Sequence, residues 1–143
     1  MSDAAMDLTL PAVATSLPSF QAALDRVCAH AGLAAEVRND LQVVLDEVCS
    51  NVFKHAYAHA ATPGALRLIV RHRPRPAAIE LTFIDQGQAF DPLSVPVPDL
   101  TLPLDERPLG GLGLHLVRQM TDRQSWRHTP TEGNRLSLTK LVL

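Results

Sequence analysis

At 143 residues with 46% hydrophobic content, the chain is long enough to bury one hydrophobic core, and we expect a single domain over residues 1–143. The formal net charge of −2 comes without any basic run, which argues against nucleic-acid binding. No stretch approaches the roughly 20 apolar residues that cross a bilayer, and the first ten residues lack the basic region of a targeting peptide, so we expect a cytoplasmic protein without membrane attachment.

The first elements are predicted to be a strand and a helix. Residues 6–14 alternate loosely between apolar and polar side chains, and Pro11 favours a strand at the edge of a sheet. The helix that follows is expected to start from a cap at Ser19 and to stop at Gly32.

The central helix, expected from about Ala35 to about Ala58, carries the most information. Its apolar residues recur at spacings of three and four, the pattern of a helix with one buried stripe. Glu47, Asn51 and His55 step along it at i, i+4 and i+8, so they form one polar row that borders the stripe. Because a carboxylate, an amide and an imidazole are costly to bury without partners, we expect a ligand or metal beside this row.

Cys28 and Cys49 fall among the apolar residues of the two predicted helices. In the absence of a secretory signal, reduced and buried thiols are favoured over a disulfide.

Two strands follow the central helix. Residues 66–73 and 78–85 both alternate with period two and are joined by a short link, so they are predicted to form an antiparallel hairpin. Asp85 lies at the exit of the second strand, and Gly87 follows closely. The next segment holds five of the eleven prolines and has no regular periodicity, which is typical of a lid or binding loop, here placed at residues 86–112.

The last part of the chain combines glycines, a helix and a hairpin. Gly110, Gly111 and Gly113 precede a helix of about ten residues, and residues 125–129 and 135–142 form a closing hairpin. The whole order predicts an α+β two-layer sandwich. Its sheet is expected to be mixed, mostly antiparallel and of about five strands, with three helices on one face.

Three signals therefore occur together: the polar row, the strand-end Asp85 with Gly87, and the glycine cluster at a helix start. In this order they resemble the ATP-binding domain shared by gyrase, histidine kinases, heat-shock chaperones and mismatch-repair ATPases, the Bergerat fold. The segments DEVCSNVFKHAY, IDQGQAFDP, DERPLGGLGLHLVRQMTD and NRLSLTK are similar, more closely, to the bacterial anti-sigma factor serine/threonine kinases. The resemblance extends from the first helix to the last strand.

This resemblance implies ATP and Mg²⁺ as ligands. Asn51 matches the family's magnesium ligand, and its side-chain oxygen suits this hard cation. Glu47 matches the catalytic residue that acts as general base or positions the attacking hydroxyl group. Asp85 matches the aspartate that accepts a hydrogen bond from the adenine amino group, and Gly87 lets the backbone pass close beneath the base.

The resemblance also implies further nucleotide contacts, several with a structural alternative. The backbone N–H groups of the glycine cluster would bind phosphate at a helix N-terminus. A structural hydrogen bond is the alternative for His55, a surface position for Arg107, and a polar core-side position for Thr139. The implied contacts are His55, Arg107, Gly110, Gly111, Gly113, Leu114 and Thr139.

The implied function is that of a regulatory kinase. It would transfer the γ-phosphoryl group of ATP to a serine or threonine of a STAS-type anti-sigma factor antagonist, and so free or trap a sigma factor. Relatives that pair through the first strand and helix imply a homodimer. The alternative from another class is a module that binds nucleotide and sequesters a partner without phosphorylating it, and a domain that binds no nucleotide is a third interpretation.

Overall fold

The computed structural model describes residues 5–96, 99, 101–103, 105 and 112–142. Short 3₁₀ turns at Ala14–Ser16 and Pro92–Ser94 precede α1 and follow β3. Within the described residues, the strands and helices are, in chain order, β1 (Ala5–Pro11), α1 (Leu17–Ala31), α2 (Ala35–His55), β2 (Ala65–Pro74), β3 (Ala77–Asp85), α3 (Leu112–Met120), β4 (Arg123–Thr129) and β5 (Gly133–Leu141).

The strands form one sheet in the order β1-β2-β3-β5-β4. Every neighbouring pair is antiparallel, so the α+β class and both predicted hairpins are confirmed, while the mixed character that we expected is not seen in the described strands. β1, which ends at Pro11, lies at one edge of the sheet as predicted. β5 lies between β3 and β4, which brings the start of the last strand beside the end of β3.

All three helices pack on one face of this sheet. Alternate residues of β2 and β3, such as Leu68 and Phe83, point to that face and join one core with Phe20 of α1, Leu45 of α2 and Val117 of α3. Complete burial of side chains of this size stabilises the fold by roughly 1.5–3 kcal/mol each. The two-layer sandwich predicted from the order of elements is therefore the structure observed.

The boundaries of α1 differ from the sequence prediction at one end. The helix begins at Leu17, with Pro18 in its first turn and Ser16 before it, so the expected cap at Ser19 is wrong. Proline suits a first turn because the N–H groups there have no partner within the helix. At the other end Gly32 adopts φ 68°, and its N–H bonds to the last carbonyls, which confirms the predicted stop.

The helix α2 begins at Ala35 as predicted but ends at His55, before the expected Ala58. The reason is tertiary, because the carbonyl of Ala56 accepts a hydrogen bond from the N–H of Gln88 at 2.9 Å. No described helix is both long and apolar enough to cross a membrane.

The two cysteines are buried and free, as predicted. Burial raises the pKa of the Cys28 thiol to about 11 and that of Cys49 to about 12. Both thiols are therefore protonated and unreactive near neutral pH.

Candidate functional site

A cavity open to solvent lies between the C-terminal half of α2 and the sheet. This main cavity is lined by Val48, Asn51, Val52, His55, Ala56, Phe83, Asp85, Gln88, Phe90, Pro92, Leu114, Trp126, Asn134 and Leu136. A side hollow next to it is lined by Glu47, Ser50, Asn51, Lys54, His55, Gly113 and Leu114. Asn51, His55 and Leu114 line both, so the two spaces adjoin.

Asp85 provides the carboxylate of the main cavity. It is the last residue of β3 and only 6% exposed. Its Oδ1 accepts hydrogen bonds from the N–H of Gly87 at 2.9 Å and from Nδ2 of Asn134 at 3.0 Å. Within the described part of the chain both bonds fall on Oδ1, which leaves Oδ2 for a donor in the cavity.

Asn134, the other polar residue of this wall, lies directly opposite Asp85 in the ladder between β3 and β5. It was not predicted as a site residue, because the sequence placed it in the turn of the closing hairpin. The signal that could have found it is the order of strands, since β5 inserted beside β3 brings the first residues of β5 against Asp85.

The loop after β3 is held against the end of α2. A side chain on Gly87 would overlap the carbonyl of Ala56, so only glycine fits there. Tyr57 accepts a hydrogen bond from the N–H of Gln86 at 2.8 Å and donates one to the carbonyl of Ala65 at 2.6 Å. The need for glycine at this position therefore comes from α2, a contact that the sequence did not indicate.

The polar row of α2 lines the side hollow as its spacing predicted. A Cβ on Gly113 would overlap the carboxylate of Glu47, so α3 begins directly against that side chain. A carboxylate in this place is favoured by the partial positive charge of a helix N-terminus. His55 is exposed at the mouth, with its ring centroid 6.2 Å from that of Phe90.

The structure thus brings most of the predicted site residues together. Glu47, Asn51, His55, Gly113 and Leu114 line the side hollow, Asp85 lines the main cavity, and Gly87 lies in the loop beside it. The predicted positions Arg107, Gly110 and Gly111 lie outside the described residues.

The nucleotide contact expected for Thr139 is corrected by the structure, because Thr139 lines neither the main cavity nor the side hollow. It pairs with Glu80 and Arg123 across β5, one residue after the core residue Leu138. Successive side chains of a strand point to opposite faces, so Thr139 points away from the helices.

Two aromatic residues, Phe83 and Trp126, lie beside the main cavity. Phe83 is a core residue and Trp126 packs against the core, but both also line the main cavity. Flat apolar walls beside one buried carboxylate suit a planar ligand that carries a hydrogen-bond donor.

Comparison with known proteins agrees with this geometry. Residues 10–140 match the family described as histidine kinase-like ATPase domain. The chain belongs to this family. As the matched part includes the polar row, Asp85 and Gly113, the main cavity and side hollow lie within the ATPase domain.

Named relatives are similar over almost their full length. The ATPase domain is 29% identical over 134 residues to the serine/threonine-protein kinase BtrW of Bordetella bronchiseptica, covering 90% of this chain and 92% of that protein. It is 26% identical over 141 residues to the serine-protein kinase RsbW of Halalkalibacterium halodurans, covering 96% and 83%.

A solved structure supports the fold. The crystal structure of the RsbU and RsbW domains of a Mycobacterium tuberculosis protein aligns with a TM-score of 0.63 at 18% identity. The alignment covers 97% of this chain and 32% of the longer one, so this ATPase domain spans about a third of that protein.

Proposed function

We propose that this ATPase domain binds Mg·ATP and transfers the γ-phosphoryl group to a serine or threonine of a partner protein. The observation that carries the proposal is a site of two adjoining spaces, which form its two ends and differ in chemistry. A buried carboxylate, Asp85, lies between apolar walls at one end, and Glu47, Asn51 and Gly113 lie together at the other. This division matches a nucleotide with an apolar base and charged phosphates.

The main cavity would bind the adenine. Oδ2 of Asp85 is available to accept a hydrogen bond from the 6-amino group, while guanine offers a carbonyl at the corresponding position and would be repelled. Phe83 and Trp126 would pack along the base.

The side hollow would bind the phosphates and the metal. Its oxygen donors include the side-chain amide of Asn51 and the carboxylate of Glu47, and hard oxygen ligands fit Mg²⁺. Asn51 would hold the ion, which when bound would neutralise charge on the phosphates. His55, Leu114 and the start of α3 would line the same space. Arg107, Gly110 and Gly111 complete the proposed phosphate contacts, with residues 86–112 as the lid.

Glu47 is the proposed general base. As the oxygen of the partner's hydroxyl group forms its bond to the γ-phosphorus, its proton would pass to the Glu47 carboxylate, and the bond from γ-phosphorus to the bridging oxygen of ADP would break. The side chain adjoins both Asn51 and α3, where phosphate is expected. The position of Glu47 therefore supports a catalytic role.

The partner is proposed from similarity. The names of the relatives, serine-protein kinase and serine/threonine-protein kinase, support a protein hydroxyl as acceptor. We propose that the acceptor is a STAS-type anti-sigma factor antagonist, that the regulated protein is a sigma factor, and that two copies of this chain pair.

The test is to incubate the protein with Mg·ATP and the STAS-domain protein encoded nearest to its gene, and to weigh that protein. We expect the partner to gain the mass of one phosphoryl group, and Glu47→Gln to slow the gain while leaving ATP binding in place. Asn39→Ala, an exposed change on the same helix, is the matched control. An unchanged partner mass with ATP bound would replace the kinase by a nucleotide-binding module that sequesters its partner.

A further inference from the structure

Asn134 uses its whole hydrogen-bonding capacity inside the protein. Its Nδ2 donates to Oδ1 of Asp85 at 3.0 Å and to the carbonyl of Gln88 at 2.8 Å. Its Oδ1 accepts from the N–H of Phe90 at 3.1 Å and from Nε1 of Trp126 at 3.2 Å. A side-chain amide has two donor hydrogens and an oxygen with two lone pairs, so all four positions are filled.

These four bonds connect separate parts of the site. One end of the amide holds the Asp85 carboxylate, and both ends hold the loop that follows β3, at Gln88 and Phe90. The Oδ1 also fixes the indole of Trp126 on β4. Because Asn134 is only 6% exposed and has no free donor or acceptor, it is built to orient other groups rather than to bind a ligand itself.

The consequence for Asp85 is a fixed carboxylate. With Oδ1 held by both Gly87 and Asn134, rotation of the group is opposed from two sides, and Oδ2 keeps one direction. A hydrogen-bond acceptor that is fixed in advance loses less entropy when the ligand donor arrives.

We propose that Asn134 is a positioning residue for adenine recognition, acting through Asp85, and that Trp126 reports on the state of this network. The inference rests on the proposed binding of ATP. It assigns to Asn134 the selectivity for the 6-amino group of the base, while affinity for the phosphates comes from the side hollow.

A positioning role and a purely structural role predict different results. If Asn134 only supported the fold, its removal would lower the affinity for every nucleotide by the same factor. If it orients Asp85, its removal lowers the affinity for ATP and leaves the affinity for a nucleotide without the 6-amino group almost unchanged. The ratio of the two affinities therefore separates the roles.

The experiment measures binding of ATP and of purine riboside 5′-triphosphate, which lacks only the 6-amino group, to four proteins in the presence of Mg²⁺. These are the wild type, Asn134→Ala, Asn134→Asp and the exposed control Asn39→Ala. Calorimetry gives the affinities, and fluorescence of Trp126, the one tryptophan of the chain, gives an independent signal.

We expect the wild type and Asn39→Ala to prefer ATP by about tenfold or more. In Asn134→Ala the ratio of the two affinities should fall close to one. Asn134→Asp keeps an oxygen for the Phe90 and Trp126 donors, but it has at most one hydrogen in place of the two that bind Asp85 and Gln88, and when ionised it repels Asp85. It should therefore also lose the preference, even if Asn134→Ala fails to fold. The tryptophan emission of the wild type should change on ATP binding.

Three outcomes would contradict the inference. Unchanged affinities for both nucleotides in a folded Asn134→Ala or Asn134→Asp protein would show that Asn134 does not act through Asp85, while ATP binding itself would stand. An equal loss for both nucleotides would assign a purely structural role. A wild type that binds neither nucleotide would overturn the proposed function and this inference with it.

Discussion

Gly113 lies so close to the carboxylate of Glu47 that a Cβ at position 113 would overlap Oε2 of that side chain. The first turn of α3 therefore packs directly against the polar row of α2. A Cβ here would meet the end of a flexible side chain rather than a strained backbone, since no positive φ is found at this residue.

Because of this contact, we expect the effect of Gly113→Ala on stability to depend on whether Glu47 is present. Gly113→Ala should lower the free energy of unfolding by up to about 1 kcal/mol, because the end of the flexible Glu47 side chain must move away from the start of α3 to admit the methyl group. In a Glu47→Ala background the same change should be neutral or stabilising, since alanine exceeds glycine in a helix by up to about 1 kcal/mol. Urea unfolding of the four proteins measures both steps. Equal destabilisation in the two backgrounds would rule out Glu47 as the cause.

Removal of the Asn51 side chain should affect metal binding more than binding of the base. Asn51→Ala should remove most of the increase in ATP affinity that Mg²⁺ provides, at least about tenfold, because the hollow loses its amide oxygen. The affinity for adenosine should fall much less, since Asp85 is unchanged. Calorimetric titrations of ATP with and without Mg²⁺, and of adenosine, measure these effects, with Asn39→Ala as control. A full Mg²⁺ effect in the variant would disprove the metal assignment.

The sequence predicted those parts of the site that depend on local periodicity. The row of Glu47 and Asn51 follows from helical spacing alone, and Asp85 follows from the end of a strand with period two. Both signals are contained in short stretches of chain. The helix and strand that carry them formed where the pattern predicted.

The parts that the sequence missed depend on register and strand order. Thr139 was assigned to the nucleotide and Asn134 was overlooked, although both lie on β5. A shift by one residue along a strand moves a side chain to the other face of the sheet, and apolar residues alone did not reveal which polar residue of β5 meets Asp85. The early end of α2 has a similar cause, since it depends on the contact between Ala56 and Gln88.

We expect the loss of Lys140 to lower stability more than the loss of Arg67. Its side chain is only 16% exposed, and its ammonium group donates to the carbonyl of Met120 at the end of α3 at 3.1 Å and lies 3.4 Å from Oδ2 of Asp40 on α2. Lys140→Ala should lower the free energy of unfolding by about 1–3 kcal/mol, because a helix-end carbonyl loses its charged donor.

The matched comparison is Arg67, which makes a closer ion pair with Asp7 in an exposed position. Arg67→Ala should cost less than Lys140→Ala, since water screens that pair. Urea unfolding at moderate salt measures both variants. A larger loss for Arg67→Ala would show that the exposed pair, despite its solvent contact, contributes more than the bond to α3.

The buried cysteines predict that stability falls in alkaline solution. In the folded protein the pKa values of Cys28 and Cys49 are raised to about 11 and about 12, above the ordinary value of 9.0. Above pH 9 the unfolded chain loses thiol protons that the folded chain retains, so the free energy of unfolding decreases. Each thiol contributes a slope of up to about 1.4 kcal/mol per pH unit. Below pH 9 both states are protonated, and the contribution is constant.

Cys49→Ala isolates one of these contributions. The variant is expected to be less stable at pH 7 because it leaves a small cavity, but its stability should fall less steeply than that of the wild type between pH 9 and about 11. Tyr57, whose pKa is also raised by burial, acts in the same direction in both proteins and cancels in the comparison. Urea unfolding at half-unit steps from pH 7 to 11 gives the two curves. Parallel curves over the alkaline range would mean that the Cys49 thiol titrates alike in the folded and unfolded chains.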